Sequence, residues 1–524
     1  MAWRKFKEHF QTHAMDETHF VLGVDIGSAT SGIAYFDALR RAPELIDMSG
    51  GYGKPSMPTV LQYAPDTREW IFGEYAVLNR GVGKEQTFAN LPERLGRNEY
   101  IEVNGRPTAV SALLGMYCKE LVGTCKSLNP KAEIAGLVAA VPSYASEDAK
   151  ADFLAAFQAA GFEKDVIALV PDRECIFQYH FATENAEPGL TLLLDFGSRE
   201  LRGGIYNAAY DEAGGLTLDC VSSLFDKTLG AQKLNARVLD AFTQFYCAQT
   251  GVDKAALPKQ ARDQLAVFAY QHKDLLFQKE IGAKPVKLYY NFAYPPLQQA
   301  VSAGDVRALV SPFEEGFHAF LDNVFAKTLR TAERPARSDI KTVLCVGGGF
   351  EMLWARRLVS AAFPDSQVVF HKNAKGVIAM GASITAAAAL GVASPRRQTL
   401  TDKHMLAADI GVKVQKAQRE RFVPLLERNS FWWQPREPVS FLLNEPTGKQ
   451  PATVALYTRA ESGEIAPLGE MALDGLPERP AGTTKLRLSL QCEAYDRLTA
   501  VVADAGFGEL FPAVRLEKAY TFEL

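Results

Sequence analysis

Apolar residues up to about residue 393 follow two alternating patterns. Short apolar runs such as 133–145 and 166–172 predict buried strands. Between them apolar residues recur at helical spacing, as in 146–162, where Ser146 is a suitable N-cap and Gly161 a suitable end. The alternation predicts an α/β fold in which helices cover the sheets.

The pattern changes near residue 393. Residues 375–392 predict a closely packed helix of small residues, and short strands with alternating apolar and polar positions follow at 439–444, 452–459 and 484–504. The sequence therefore predicts an N-terminal extension (1–18), an α/β domain (19–393), a linker (394–404) and a β-sandwich-like domain (405–524).

One unit occurs twice, at an offset of 170 residues. Residues 21–37 (VLGVDIGSATSGIAYFD) and 191–207 (TLLLDFGSRELRGGIYN) align without a gap. Each has an apolar strand, an Asp-x-Gly-Ser sequence and a second strand. We predict a duplicated hairpin with Asp-x-Gly-Ser at each tip.

Length and charge narrow the classes of function. A chain of 524 residues should form two or three domains. The net charge of −4, without a long Lys/Arg block, argues against a nucleic-acid partner. The seven cysteines form no C-x-x-C pair, which indicates free thiols in a reducing compartment. Because no signal peptide or spanning apolar run is present, we expect a cytoplasmic protein without a membrane partner.

The duplicated tips have a chemical use. Glycine lets the backbone approach closely, so that successive N–H groups can hold phosphate oxygens, while Asp25 and Asp195 could orient Mg²⁺ through its waters. Residues 339–363 predict a strand, a glycine turn and a helix, whose start could accept an adenosine. Each motif alone is common, but their order favours a nucleotide site.

These segments resemble the heat shock protein 70 chaperones, members of the actin, hexokinase and chaperone ATPase superfamily. The resemblance runs over residues 19–515. It rests on a set of degraded motifs: GVDIGSATSGIAYF, GKPSMPTVLQY, IFGEYA, GLVAAVPSYASEDAKADFLAAFQAAGF, LLLDFGSRELRGGIY, DKTLGAQKLN, VLCVGGGFEMLWARRLVSAAF and LGEMALDGLPERPAGTTKLRLSL.

The resemblance implies a duplicated actin-like fold, with two lobes around a nucleotide cleft, followed by a peptide-binding β-sandwich. It implies ATP or ADP as ligand and leaves Mg²⁺ open. It also implies a monomeric, stress-response chaperone that binds unfolded or extended polypeptide, with a co-chaperone left open. The nucleotide-binding positions it gives are Gly27, Ser28, Ala29, Thr30, Gly197, Ser198, Arg199, Gly230, Lys273, Gly347, Gly348 and Gly349.

Several positions depart from the family pattern. Family residues that act on water, metal and γ-phosphate are replaced by Glu200, Arg202, Pro92 and Val170, and the adenine-stacking arginine by Glu351. Because phosphoryl transfer depends on positioned charge, we expect weak or no hydrolysis. No catalytic residue is assigned beyond Asp25 and Asp195 as candidates.

The sequence allows two alternatives at each of two local groups of residues. Arg199 could pair with a phosphate, or Arg199, Glu200 and Arg202 could form a surface ion-pair cluster. The adjacent Trp432 and Trp433 could line a peptide groove or belong to the core. Cys118 and Cys125 are expected in the core, and His9 and His13 in a solvated tail.

Three functions remain possible. The first is a chaperone without the family's helical lid, which should release peptide fast because the chain ends after its strands. The second is a non-catalytic, nucleotide-sensing scaffold or interaction protein. The third, a small-molecule kinase or filament former, would leave the β-domain unexplained.

Overall fold

The computed structural model describes most of the chain. The described residues are 19–37, 39–49, 53–81, 83–128, 133–183, 186–212, 214–282, 284–293, 295–326, 334–391, 398–401, 406–416, 419–428, 432, 436–460, 463–494 and 497–524. The chain divides into two compact units, Met1–Thr401 and Asp402–Leu524. Helices and strands are numbered below in chain order.

The first large sheet of unit 1 contains the first hairpin. Its strands are β1 (His19–Ile26), β2 (Thr30–Asp37), β3 (Ala42–Leu45), β4 (Met57–Pro58), β10 (Glu133–Val141) and β11 (Ile167–Pro171). The order is β11-β10-β1-β2-β3, and β4 also pairs with β2. β1, β10 and β11 run parallel, while β2 and β3 are antiparallel to their neighbours.

The second large sheet contains the second hairpin. Its strands are β12 (Gly189–Phe196), β13 (Leu201–Tyr210), β14 (Leu216–Asp226), β17 (Thr342–Val346), β18 (Gln367–Phe370) and β19 (Gln398–Thr401). The order β18-β17-β12-β13-β14 matches the first sheet in sequence of neighbours and in strand direction. β19 lies within the predicted linker but pairs with β14, so residues 398–401 are part of unit 1.

The helices among the described residues are α1 (Gly73–Leu78), α2 (Val110–Leu128), α3 (Glu147–Ala159), α4 (Asp172–Thr183), α5 (Ala231–Thr250), α6 (Lys259–Phe277), α7 (Ala303–Ala326), α8 (Leu353–Ala362) and α9 (Val377–Ala389). Three of them, α3, α8 and α9, are the helices that the apolar periodicity predicts. Ser146 caps α3, accepting a hydrogen bond from the N–H of Ala149 at 3.2 Å. The α/β prediction is therefore confirmed at the level of elements.

The predicted small-residue helix is α9, and it packs closely against α4 and β1. A Cβ at Gly381 would overlap the carbonyl oxygen of Cys175, and one at Gly23 would overlap the backbone of α9. Small residues therefore set the distance between this helix and the first sheet.

Shorter sheets complete unit 1. They are formed by β5 (Val60–Ala64), β6 (Glu69–Phe72) and β7 (Gln86–Ala89), by β8 (Tyr100–Val103) and β9 (Arg106–Ala109), and by β15 (Val286–Tyr290) and β16 (Leu297–Val301). Cys118 and Cys125 are buried in the core of the first sheet, as predicted. His9 and His13 lie outside the described residues.

Unit 2 consists of two antiparallel sheets that contribute to one hydrophobic core. The strands are β20 (Asp409–Lys416), β21 (Arg419–Leu426), β22 (Val439–Leu443), β23 (Ala452–Arg459), β24 (Ile465–Leu473), β25 (Thr484–Ala494), β26 (Arg497–Asp504) and β27 (Glu517–Glu523). The orders are β21-β20-β23-β24 and β22-β25-β26-β27. Trp432 packs against this core, whereas Trp433 lies outside the described residues.

Candidate functional site

A cavity of about 170 Å³ in unit 1 lies at the tips of both hairpins. The carboxyl ends of β1 and β12 lead into it, which is where open α/β sheets commonly bind ligands. The predicted site residues that line it are Asp25, Gly27, Ser28, Ala29, Thr30, Asp195, Gly197, Ser198, Arg199, Gly347 and Gly348. The tertiary structure thus brings together three segments that are far apart in the sequence.

Three predicted positions lie outside this lining. Gly230 is packed behind the second tip, where a Cβ would overlap the backbone of Arg199. Gly349 lies under the ring of Phe196, so its missing side chain serves packing. Lys273, on α6, has its Nζ 5.2 Å from the ring centre of Tyr270.

Hydrogen bonds from neighbouring segments hold the carbonyl groups of both tips. Thr59 donates its Oγ1 to the carbonyl of Gly27 at 2.7 Å and its N–H to that of Ala29 at 2.9 Å. At the second tip, Ala231 donates to the carbonyl of Gly197 at 3.0 Å and Gln232 to that of Ser198 at 2.9 Å.

Amide groups of the same tips can donate hydrogen bonds to a ligand. Within the described residues, the N–H groups of Ser28, Ala29, Ser198 and Arg199 donate to no protein acceptor. Two tips with such amides on one cavity provide donors for an anionic ligand.

A charged cluster lies at the base of the cavity. Cross-strand pairing puts Arg202 of β13 directly opposite Asp195 of β12. Its Nη2 donates to Asp195 and its Nη1 to Asp172, and both carboxylates are only 7% exposed. Asp25 lines the same cavity, but its carboxylate has no hydrogen bond or ion pair within the described part of the chain.

Asp172 is a site residue that sequence reasoning missed. It is the first residue of α4, directly after β11, and it accepts hydrogen bonds from the Oγ of Ser143 at 2.6 Å and from the N–H of Ser143 at 3.2 Å. A signal was available, because β11, β10 and β1 run parallel and their carboxyl ends share one sheet edge. The residue after β11 could therefore have been placed near Asp25.

Burial and the neighbouring charges shift the pKa values of this cluster. Burial, followed by the charges of Asp172 and Asp195, raises the pKa of Asp25 to about 7. Burial would also raise the pKa of Asp172, but Arg202 and the Ser143 hydroxyl lower it below its ordinary value. Burial raises the pKa of Asp195, although Arg202 opposes the shift.

The charged residues of the second loop do not form a surface cluster. Glu200 is buried and accepts a hydrogen bond from the hydroxyl of Tyr144. Arg199 lines the cavity, with its Nε 3.8 Å from a Glu200 oxygen. Arg202 makes its contacts at the base, so the surface alternative is wrong for Glu200 and Arg202.

An ion pair lies against the glycine turn after β17. Lys375 donates to Glu351 at 2.7 Å, and its side chain lies where a Cβ of Gly348 would be. Glu351 occupies the position that the resemblance gives to an adenine-stacking arginine. An adenosine that bound against this turn would contact the Lys375–Glu351 ion pair.

A divalent cation does not fit the cluster as it stands. In the described ranges no group of three or more His, Cys, Asp or Glu side chains is arranged to hold a metal ion. The Oδ2 atoms of Asp172 and Asp195 already accept hydrogen bonds from Arg202. Direct coordination of Mg²⁺ by Asp25 and Asp195 therefore lacks a ligand set among the described residues, while the predicted contact through metal-bound water stays a prediction.

Sequence comparisons point to one group of proteins over nearly the whole chain. The chain is 23% identical to the stromal 70 kDa heat shock-related protein of Pisum sativum chloroplasts, over 97% of this chain and 72% of that protein. It is 24% identical to a chaperone protein HscA homologue from Polynucleobacter necessarius, over 97% and 80%. It is 19% identical to the chaperone protein DnaK of Thermosipho africanus, over 94% and 79%. The resemblance to the heat shock protein 70 chaperones is confirmed, at low identity.

Two family models also match parts of the chain. Residues 405–524 match a domain of unknown function (DUF8552), and residues 42–202 match the C-terminal part of a family of unknown function (DUF5716). The first match begins where the change in hydrophobic pattern put the second domain. Among the described residues, no helix has the length and apolar character needed to cross a membrane.

Proposed function

We propose that this protein is a chaperone-like nucleotide-binding protein. Residues 19–393 would be an actin-like domain that holds ATP or ADP between two lobes, and residues 405–524 a β-sandwich that binds extended polypeptide. The heat shock protein 70 relatives support the class of function. A cytoplasmic location, a monomeric state and a co-chaperone stay predictions.

The observation that carries the proposal is the meeting of both Asp-x-Gly-Ser tips on one cavity. The amides of Ser28, Ala29, Ser198 and Arg199 lack protein acceptors within the described residues, and the turn at Gly347 and Gly348 lines the same space. Gly347 has a φ of +89°, and a Cβ there would lie 2.6 Å from a carboxylate oxygen of Asp195. Such bare backbone supports phosphate binding.

Weak or absent hydrolysis forms part of the proposal. Pro92 lines the cavity at the position of the family's lysine, and Arg202 neutralises two of the carboxylates. Neither group can supply the metal-centred charge stabilisation that phosphoryl transfer uses. Binding through backbone amides does not need those side chains.

Calorimetry of the full chain with ATP and ADP tests the proposal. We expect saturable binding and little turnover in a phosphate-release assay. Gly348→Leu adds bulk to the cavity lining, and its Cβ would contact the flexible Lys375 side chain and no backbone, so binding should weaken by about tenfold or more. Gly282→Leu, at an exposed glycine with open space around it, is the matched control. No heat with either nucleotide would refute nucleotide binding.

A second candidate function rests on the Lys375–Glu351 pair. If this pair keeps adenosine out, unit 1 would be a nucleotide-free scaffold and unit 2 an interaction module. Glu351→Ala should then create nucleotide binding that the wild type lacks. If wild type already binds ATP, this candidate is excluded.

A further inference from the structure

Arg202 lies among three carboxylates of the cavity. It contacts Asp172 and Asp195 through separate guanidinium nitrogens, and its charge is the one that opposes the pKa rise of Asp25. The burial of these groups makes the arrangement costly unless every charge has a partner. A fixed cation is therefore part of the cavity itself.

The repeat shows that the cation belongs to the second hairpin and has no counterpart in the first. In the first hairpin, Gly32 is the cross-strand partner of Asp25, whereas in the second hairpin Arg202 is the partner of Asp195. Both pairs have the same register within their hairpins, and they are separated by the same 170 residues. Gly32 has no side chain beside Asp25, and a Cβ there would lie 3.3 Å from the carbonyl oxygen of Pro55, whereas Arg202 places its guanidinium beside Asp195.

We propose that Arg202 is the resident cation of this cavity and replaces a divalent metal ion, so that the protein binds the phosphates of a nucleotide without metal. The phosphate part rests on the proposed function; the exclusion of metal does not. The two carboxylates hold one edge of the guanidinium, and its remaining N–H donors are available to a phosphate. Metal-bound nucleotide would bring two further positive charges close to Arg202, which opposes its binding.

The exclusion of a divalent metal ion, the first part of the proposal, is tested without nucleotide. Mn²⁺ is titrated into the full chain and bound metal is measured by electron paramagnetic resonance. We expect no saturable Mn²⁺ site in wild type and a new site in Arg202→Gln, because its three carboxylates then lose their cation. Arg202→Lys keeps the charge and should exclude Mn²⁺. Arg237→Gln, at an exposed arginine of α5 outside the cavity, should behave as wild type.

Two results would overturn the exclusion of metal. One is Mn²⁺ binding to wild type that Asp195→Asn removes. The other is a folded Arg202→Gln protein, as judged by circular dichroism, that binds no Mn²⁺. If Arg202→Gln does not fold, the comparison of wild type with Asp195→Asn still decides the question.

Phosphate binding without metal, the second part of the proposal, is tested by calorimetry with ATP in the presence of EDTA and in the presence of Mg²⁺. We expect dissociation constants that agree within about threefold, or tighter binding in EDTA. Binding that is more than about tenfold tighter with Mg²⁺ would overturn this part. Absence of ATP binding under both conditions, with the Mn²⁺ results as expected, would refute the proposed function and the phosphate part while supporting the resident cation.

Discussion

Arg199 and Arg202 lie three residues apart on one hairpin, but their surroundings differ. Both line the cavity, but Arg199 has its Nε 3.8 Å from Glu200, whereas Arg202 donates to Asp172 and Asp195. The sequence had directed attention to Arg199 because it directly follows the tip. The hairpin register, and not distance from the tip, decides which arginine meets the aspartates.

The raised pKa of Asp25 predicts that the stability contributed by this residue depends on pH. Its pKa of about 7 in the folded protein exceeds its ordinary value of 3.8, so the folded state binds the proton more tightly than the unfolded state. The contribution of Asp25 to the free energy of unfolding must then fall as pH rises from about 4 to about 7. Asp25→Asn removes this penalty, and its gain in free energy of unfolding should be larger at pH 8 than at pH 5 by about 2 kcal/mol.

Urea denaturation at the two pH values measures this difference. Asp66→Asn, which removes an exposed carboxylate in the turn after β5, is the control. An equal effect of Asp25→Asn at both pH values would contradict the raised pKa.

Close contacts at two glycine residues determine how α9 packs against α4 and the first sheet. α9 contacts α4 at Gly381 and β1 at Gly23, and α4 begins with Asp172. The distance between α9 and α4 therefore helps to fix one carboxylate of the charged cluster. This connects a packing feature of the sequence to the chemistry of the cavity.

Gly381→Ala should strongly destabilise unit 1. The added Cβ would overlap the carbonyl oxygen of Cys175, so the backbone of α4 or α9 must move. We expect a loss of about 2 to 3 kcal/mol in free energy of unfolding. Gly123→Ala, on α2 with open space around it, should instead gain about 1 kcal/mol through helix propensity. Similar changes for both variants in urea denaturation would refute the packing argument.

At the scale of the whole molecule, each unit has its own core, and the second presents apolar side chains. The loop between β26 and β27 exposes Phe507, Leu510 and Val514. Its conformation is held by Asp504, which accepts from Arg479 at 2.7 and 2.9 Å and from the N–H of Val514 at 2.8 Å. A fixed apolar loop suits binding of extended polypeptide because little order is lost on binding.

Leu510→Glu should weaken the binding of a fluorescent, extended apolar peptide by about fivefold or more, since a side chain that is 88% exposed would lose its apolar contact. Fluorescence polarisation with the full chain measures the affinity. Leu39→Glu, at an equally exposed leucine of unit 1, is the matched control. Peptide binding that neither substitution changes would remove this loop from the proposed binding surface.

The sequence alone determined the elements and much of the candidate site. Apolar periodicity is local, so it predicted the strands and helices around α3, α8 and α9. The repeat predicted both hairpins, because a strand-turn-strand unit needs only neighbouring residues. Glycine and aspartate at the tips indicated the cavity lining for the same reason.

Only the tertiary structure decided the chemistry at the base of the cavity. Asp172 and Arg202 are separated by a helix and a strand, and their contact depends on how two sheets come together. The exclusion of Gly230, Gly349 and Lys273 from the lining has the same origin, since packing around each residue decides what it can reach. Local patterns specify elements, but contacts between distant elements specify which charges meet.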